Sequence, residues 1–184
     1  VLRNGPHGYG TVTKTLHWLV FAALAVQFAL GYVMDPDDSG QGRGRGRGRG
    51  AGSGHGRGRG RGGEDGYEVF GDDRLLTLHV VLGVAILVLA ALRLLWRVST
   101  PLPPWAPTLR SYERVLATWT ERALHLLSFA IPATGLWLVL AGDDDAVGPH
   151  VAAHAAFFLA LAVHLGLVLK HQLVDRDRLV KRML

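Results

Sequence analysis

The sequence predicts an all-α membrane protein, a transmembrane bundle of four helices, and three observations carry that prediction. Mean hydropathy is positive, +0.21 over 184 residues. Four apolar runs, at 15–34, 75–92, 123–141 and 150–169, each have the length a helix needs to cross about 30 Å of hydrocarbon. None of the four contains Asp, Glu, Lys or Arg. A chain of this length suits one bundle and leaves no room for an added catalytic domain.

A short tail, 1–11, precedes a four-span domain covering 12–184, with spans at about 12–34, 75–97, 118–141 and 149–173. The first run follows Lys14, as a secretory signal core would, but it exceeds the usual seven to fifteen residues and no small-x-small cleavage site follows it before Asp35. It therefore reads as a retained span. A low-complexity loop, about 36–73, follows, in which glycine alternates with Arg43, Arg45, Arg47, Arg49, Arg57, Arg59 and Arg61. Between Asp35 and Arg74 the arginines are matched by Asp35, Asp37, Asp38, Glu64, Asp65, Glu68, Asp72 and Asp73, so the loop is neutral overall, with a positive centre and acidic ends. Its simplest reading is a solvated loop. The link between spans two and three is rich in proline from Pro101 to Pro107 and reads as extended.

Orientation follows from the other segments. Arg3 and Lys14 precede span one; Arg93, Arg97, Arg110, Arg114 and Arg122 surround the second link; Lys170, Arg176, Arg178, Lys181 and Arg182 end the chain. All fall on one side, whereas residues 142–149 carry Asp143, Asp144 and Asp145 and no Lys or Arg. The positive-inside rule makes both termini cytoplasmic, and arginines far from span ends count little against it. The Gly-Arg loop then faces outward, away from nucleic acid, so no nucleic-acid partner is expected.

No cysteine is present, which excludes disulfides, cysteine-ligated iron–sulfur clusters and covalently attached c-type haem. A metal must be held by histidine, carboxylate or backbone. His150 and His164 are fourteen residues apart in span four. At 3.6 residues per turn they leave one face within about 40°, separated by roughly 21 Å. Span one runs outward and carries His17 near its start; span four runs inward and carries His164 past its middle, so these two share the inner half. His79 near the outer start of span two and His150 share the outer half. Two neutral imidazoles on facing helices suit the two faces of a haem iron, whereas zinc requires further close ligands. A bis-histidine haem has no vacant coordination position and passes single electrons.

Several of these residues carry a resemblance. Lys14-Thr-Leu-His-Trp-Leu, Leu78-His-Val-Val-Leu-Gly, Leu92-Arg-Leu-Leu-Trp-Arg97, Ile131-Pro-Ala-Thr-Gly135, His164 with Lys170-His171, and Lys181-Arg-Met together resemble the bacterial cytochrome b561 family, which is similar to the b-type cytochrome subunits of nickel–iron hydrogenases. The resemblance covers about residues 11–184 apart from the Gly-Arg insertion. It implies a four-helix cytochrome of the bacterial plasma membrane with two b haems, held by His17, His79, His150 and His164, and electron exchange with quinone. Many relatives have a histidine early in span three. Here, aligned on Pro132 and Gly135, that position is Glu121, and His125 lies one turn deeper.

The remaining candidates have more than one reading. His154, one turn from His150, competes for the outer site, with His150 preferred because His154 and His164 are about 80° apart on the helix. His125 is either a proton shuttle or a hydrogen-bonding group of the bundle. His171 reads as an interfacial, solvated residue or as a quinone or propionate contact. Arg93 and Arg97 suit the propionates of the inner haem and equally serve as inner-face anchors. Gly83 and Gly166 leave room for a macrocycle, and Trp18, Trp96, Trp119 and Trp137 read as membrane-belt residues. The functional expectation is a transmembrane electron-transfer cytochrome in contact with lipid and quinone. It acts either as a relay subunit beside a soluble redox protein or as a stand-alone oxidoreductase taking electrons from a small anionic donor such as superoxide.

Overall fold

In the computed structural model, residues 2–6, 8–34, 74–141, 145, 147–177 and 179–183 are described; the Gly-Arg loop lies outside them. The chain is all-helical, with four helices long and apolar enough to span a membrane: α1 Thr11–Val33, α2 Arg74–Ser99, α3 Ser111–Ala141 and α4 Val147–Leu169. A single π turn, Lys170–Val174, continues α4, and a 3-10 turn, Leu179–Arg182, follows. Among the described residues there is no strand, only an isolated bridge between Gly5 and Gly8.

The start of α1 is capped from a distance. Gly10 stands at the N-cap with extended backbone and offers no side chain. Asn4 Oδ1 fills the role, accepting the Gly10 N–H at 2.9 Å and the Thr13 hydroxyl at 2.8 Å. The Asn4 amide donates in turn to the Pro101 carbonyl at 3.1 Å, which ties the tail to the link between α2 and α3. Gly10 permits this crossing because a Cβ there would lie 2.4 Å from the Leu2 carbonyl oxygen. Gly10→Ala is therefore expected to displace residues 2–6 and lose the Asn4 bonds, costing about 1–3 kcal/mol. Thermal unfolding in detergent, together with proteolysis of the tail, measures it.

α3 begins at Ser111, seven residues before the expected 118. Glu113 explains the extra turns: its Oε2 accepts the Arg110 N–H at 2.8 Å, a carboxylate reaching back over the first turn. Pro132 lies inside α3 and removes one ladder donor, the one that would reach the Ser128 carbonyl.

α1 packs on α2, α2 on α3 and α3 on α4. The shared core draws Val20 and Leu24 from α1, Ile86 from α2, Ile131 from α3 and Phe157 from α4. α4 has no comparable backbone packing against α1 or α2 among the described residues. Large side chains bridge the wider gap, with Phe28 of α1 set against His154, Phe157 and Phe158 at ring-centroid distances of 5.1, 5.3 and 4.6 Å. Leu95, Leu126, Leu140 and Leu159 point outward and are exposed, a surface that lipid tails solvate. Two tryptophans expected in the interfacial belt also have specific partners. Trp96 Nε1 donates to Thr13 Oγ1 and Trp18 Nε1 to the Met183 carbonyl, each at 3.0 Å, because the ends of the chain fold back over this end of the bundle.

Candidate cofactor-binding site

His17, His79, His125, His150, His154 and His164 are half-buried within the four helices and fall into two groups by depth. At the end of the bundle that carries both termini, His17 of α1 is within electrostatic reach of Arg93 on α2, His125 on α3 and His164 on α4. His164 senses Arg93 and Glu121. At the opposite end, His79 of α2 is within reach of His150, and His154 of both.

Each ring is set by its neighbours. His79 lies over Gly31 of α1, where a Cβ would come within 3.3 Å of its Cε1. Its carbonyl accepts the Gln27 amide at 3.0 Å. Gly83, expected to make room for a flat group, lies beside the buried Gln27: a Cβ there would meet Gln27 Nε2 at 3.6 Å, an ordinary contact distance. Gly166 has open space beside it. His150 sits against α3, its Nδ1 3.0 Å from Thr134 Oγ1 and its Cε1 3.0 Å from where a Cβ on Gly135 would stand. The His150 and His154 rings are 4.4 Å apart, with His154 turned edge-on to Phe28. His125 Nδ1 lies 2.8 Å from the Glu121 carbonyl, an intrahelical bond that fixes its ring.

Nδ1 of His17, Nδ1 of His79, Nε2 of His125 and Oε1 of Gln27 are buried with no hydrogen-bond partner among the described residues. Orphaned polar atoms in an apolar bundle are costly, and sites that bind something are where they are tolerated. The donor set fits haem: imidazole nitrogens are grouped at two depths, with members on α1 and α4 at one and on α2 and α4 at the other, helix pairs whose backbones stand apart.

Charge gathers at the termini end. Arg97 Nε is paired with Glu121 Oε1 at 2.8 Å, so this carboxylate holds one of the two arginines. Arg93, half-buried beside His17 and His164, has no hydrogen-bond partner among the described residues. Tyr9, which sequence reasoning passed over, covers this group. Burial first, and the Glu121 carboxylate second, push its phenol pKa up, while Arg182, Arg97 and Arg93 act in the other direction.

His171 departs from the solvated, interfacial position expected of it: it is 2% exposed. Its Nδ1 is 2.7 Å from Asp177 Oδ2 and 3.0 Å from Asp175 Oδ2, and its Nε2 faces Glu113 Oε2 at 3.7 Å. Asp177 also accepts the Thr108 hydroxyl at 2.7 Å. Glu113, His171 and Asp175 lie close enough together to hold a metal ion. Lys170 already supplies the cation, its Nζ lying 2.7 Å from Glu113 Oε1 and also paired with Asp175. The π turn after Leu169 swings these groups onto the start of α3, forming a clamp between the end of α4 and the second link.

A family model described as prokaryotic cytochrome b561 matches residues 8–184. The chain is similar to cytochrome b562 of Cereibacter sphaeroides, 38% identical over 107 residues that cover 58% of this chain and 66% of that one, a little under two thirds of the relative. It is similar also to cytochrome b561 homolog 2 of Escherichia coli K12, 26% identical over an alignment of 204 residues covering 98% of this chain and 93% of the other. No solved structure matches it.

Proposed function

Because the chain belongs to the prokaryotic cytochrome b561 family, as a membrane haem protein of electron transport, we propose that it carries electrons across the bacterial plasma membrane through two b haems and exchanges them with quinone. His79 and His150 hold one haem near the outer face; His17 and His164 hold the other near the cytoplasmic face, where both termini lie. The observation that carries this reading is the sorting of the buried histidines into two groups, one at each end of the bundle, with α4 contributing to both. Two imidazoles at each site would hold a haem whose chemistry, when bound, would be one-electron transfer.

The chain's own residues supply the rest. Neutral imidazoles in an apolar bundle present nitrogen lone pairs without the cost of burying charge. Arg93 faces the inner pair, makes no hydrogen bond among the described residues, has Glu121 and Tyr9 within electrostatic reach, and suits a propionate or an anionic quinone oxygen. Arg97 is held by Glu121 and serves chiefly to fix the inner ends of α2 and α3 together. Gln27 anchors the backbone of His79, and Gly83 leaves space beside it for a flat group. The apolar core of Val20, Leu24, Ile86, Ile131 and Phe157 lies between the two groups of histidines.

Purified chain is expected to contain two haems per polypeptide, with a b-type reduced-minus-oxidised spectrum and reduction by a quinol analogue. One haem per chain would remove the two-site reading, and inertness toward quinol would remove quinone as partner. A soluble subunit that co-purifies marks the chain as a relay. Rapid reduction by superoxide, falling with ionic strength and with trimming of Arg43 to Arg61, marks the stand-alone oxidoreductase.

A further inference from the structure

We infer that Thr134 and Gly135 of α3 form a seat that selects His150 over His154 as the ligand at the outer site, by holding the Nδ1 proton of His150 and leaving Nε2 free to bind metal. The inference rests on the reading of His150 as a haem ligand. The Thr134 hydroxyl lies 2.8 Å from the Ala130 carbonyl and 2.9 Å from the Ile131 carbonyl, so its single proton is directed back into its own helix. Its oxygen then faces His150 Nδ1, 3.0 Å away, as an acceptor. An acceptor fixed at Nδ1 selects one tautomer, with Nδ1 protonated and the lone pair on Nε2.

Gly135 sets the position of that ring. A Cβ there would stand 3.0, 3.4 and 3.7 Å from His150 Cε1, Nδ1 and Nε2, so the ring lies directly on the α3 backbone. His154 has no such seat: its ring is packed edge-on between His150 and Phe28, and no hydrogen bond from it is seen among the described residues. A ligand histidine whose second nitrogen donates to a fixed acceptor is oriented and made more basic, and losing that partner costs about 10–100-fold in metal affinity.

The test uses the haem-loaded full chain in detergent. In Thr134→Val, which keeps the shape and removes the acceptor, haem transfer from one site to apomyoglobin is expected to accelerate about tenfold, and the midpoint potential of that haem rises. The second haem, at the far end of the bundle, stays unchanged and reports that the fold is intact. Thr134→Ser restores both quantities, and Gly135→Ala alters the low-spin electron paramagnetic resonance signal of the same haem. His154→Ala leaves both haems in place. Unaltered potential and transfer rate in Thr134→Val overturn the inference, as does loss of the outer haem in His154→Ala. Retention of both haems in His150→Ala would instead overturn the ligand assignment on which it rests.

Discussion

His164→Ala is expected to lower haem content from two to one per chain while the remaining haem keeps its bis-histidine spectrum. His164 lies toward the end of α4 in the group with His17 and Arg93, whereas His79, His150, Thr134 and Gly135 lie at the other end. The core residues Val20, Leu24, Ile86, Ile131 and Phe157 stand between the two groups, and their packing does not depend on the His164 ring. A methyl group in its place leaves His17 with no partner across the α1/α4 gap, so affinity is lost at that site alone. His17→Ala should give the same spectrum, and His79→Ala the complementary one. A variant that loses both haems together would show the sites to be one cooperative unit; one that keeps both would remove His164 as a ligand.

Arg93→Gln is expected to lower the midpoint potential of the inner haem and leave the outer one unchanged. A nearby cation favours the reduced, more negative state, so removing it makes reduction harder. A hydrogen bond to a charged group is worth about 1.5 kcal/mol at the low end, which for one electron corresponds to a shift of about 60 mV. Arg97→Gln should shift the potential less, because the Glu121 carboxylate already offsets the Arg97 charge at 2.8 Å. Arg93→Lys keeps the charge and loses the fork, so an intermediate shift is expected. A redox titration with the two haems resolved measures all three. Equal shifts for Arg93→Gln and Arg97→Gln would mean that Glu121 does not divide the two arginines as their geometry indicates.

The four helices were legible because apolar length in a lipid-spanning chain leaves the backbone no alternative to helix, and each of the runs does lie within a helix. Charge placement was less transparent. Arg93 and Arg97 look equivalent along the chain, one turn apart, yet one is paired with Glu121 and the other faces two histidines. His171 looked like an interfacial residue because apolar sequence ends beside it; three carboxylates brought in by a π turn and by α3 bury it. Gln27, buried on α1, lies opposite Gly83 of α2, a neighbour that spacing along α2 does not reveal.

The sequence by itself determined the class, the number of spans and the two depths at which histidines recur, because hydropathy and helical period are local properties of a chain. Only the tertiary structure decided which ring nitrogens of His17, His79 and His125 lack a partner, which arginine is hydrogen-bonded to Glu121 and why His150 is distinguished from His154. Those depend on Thr134, Gly135, Glu121 and Gln27, which stand on neighbouring helices or at a helix end. Hydrogen bonds act over about 3 Å, and no spacing along one helix shows what another brings within that distance.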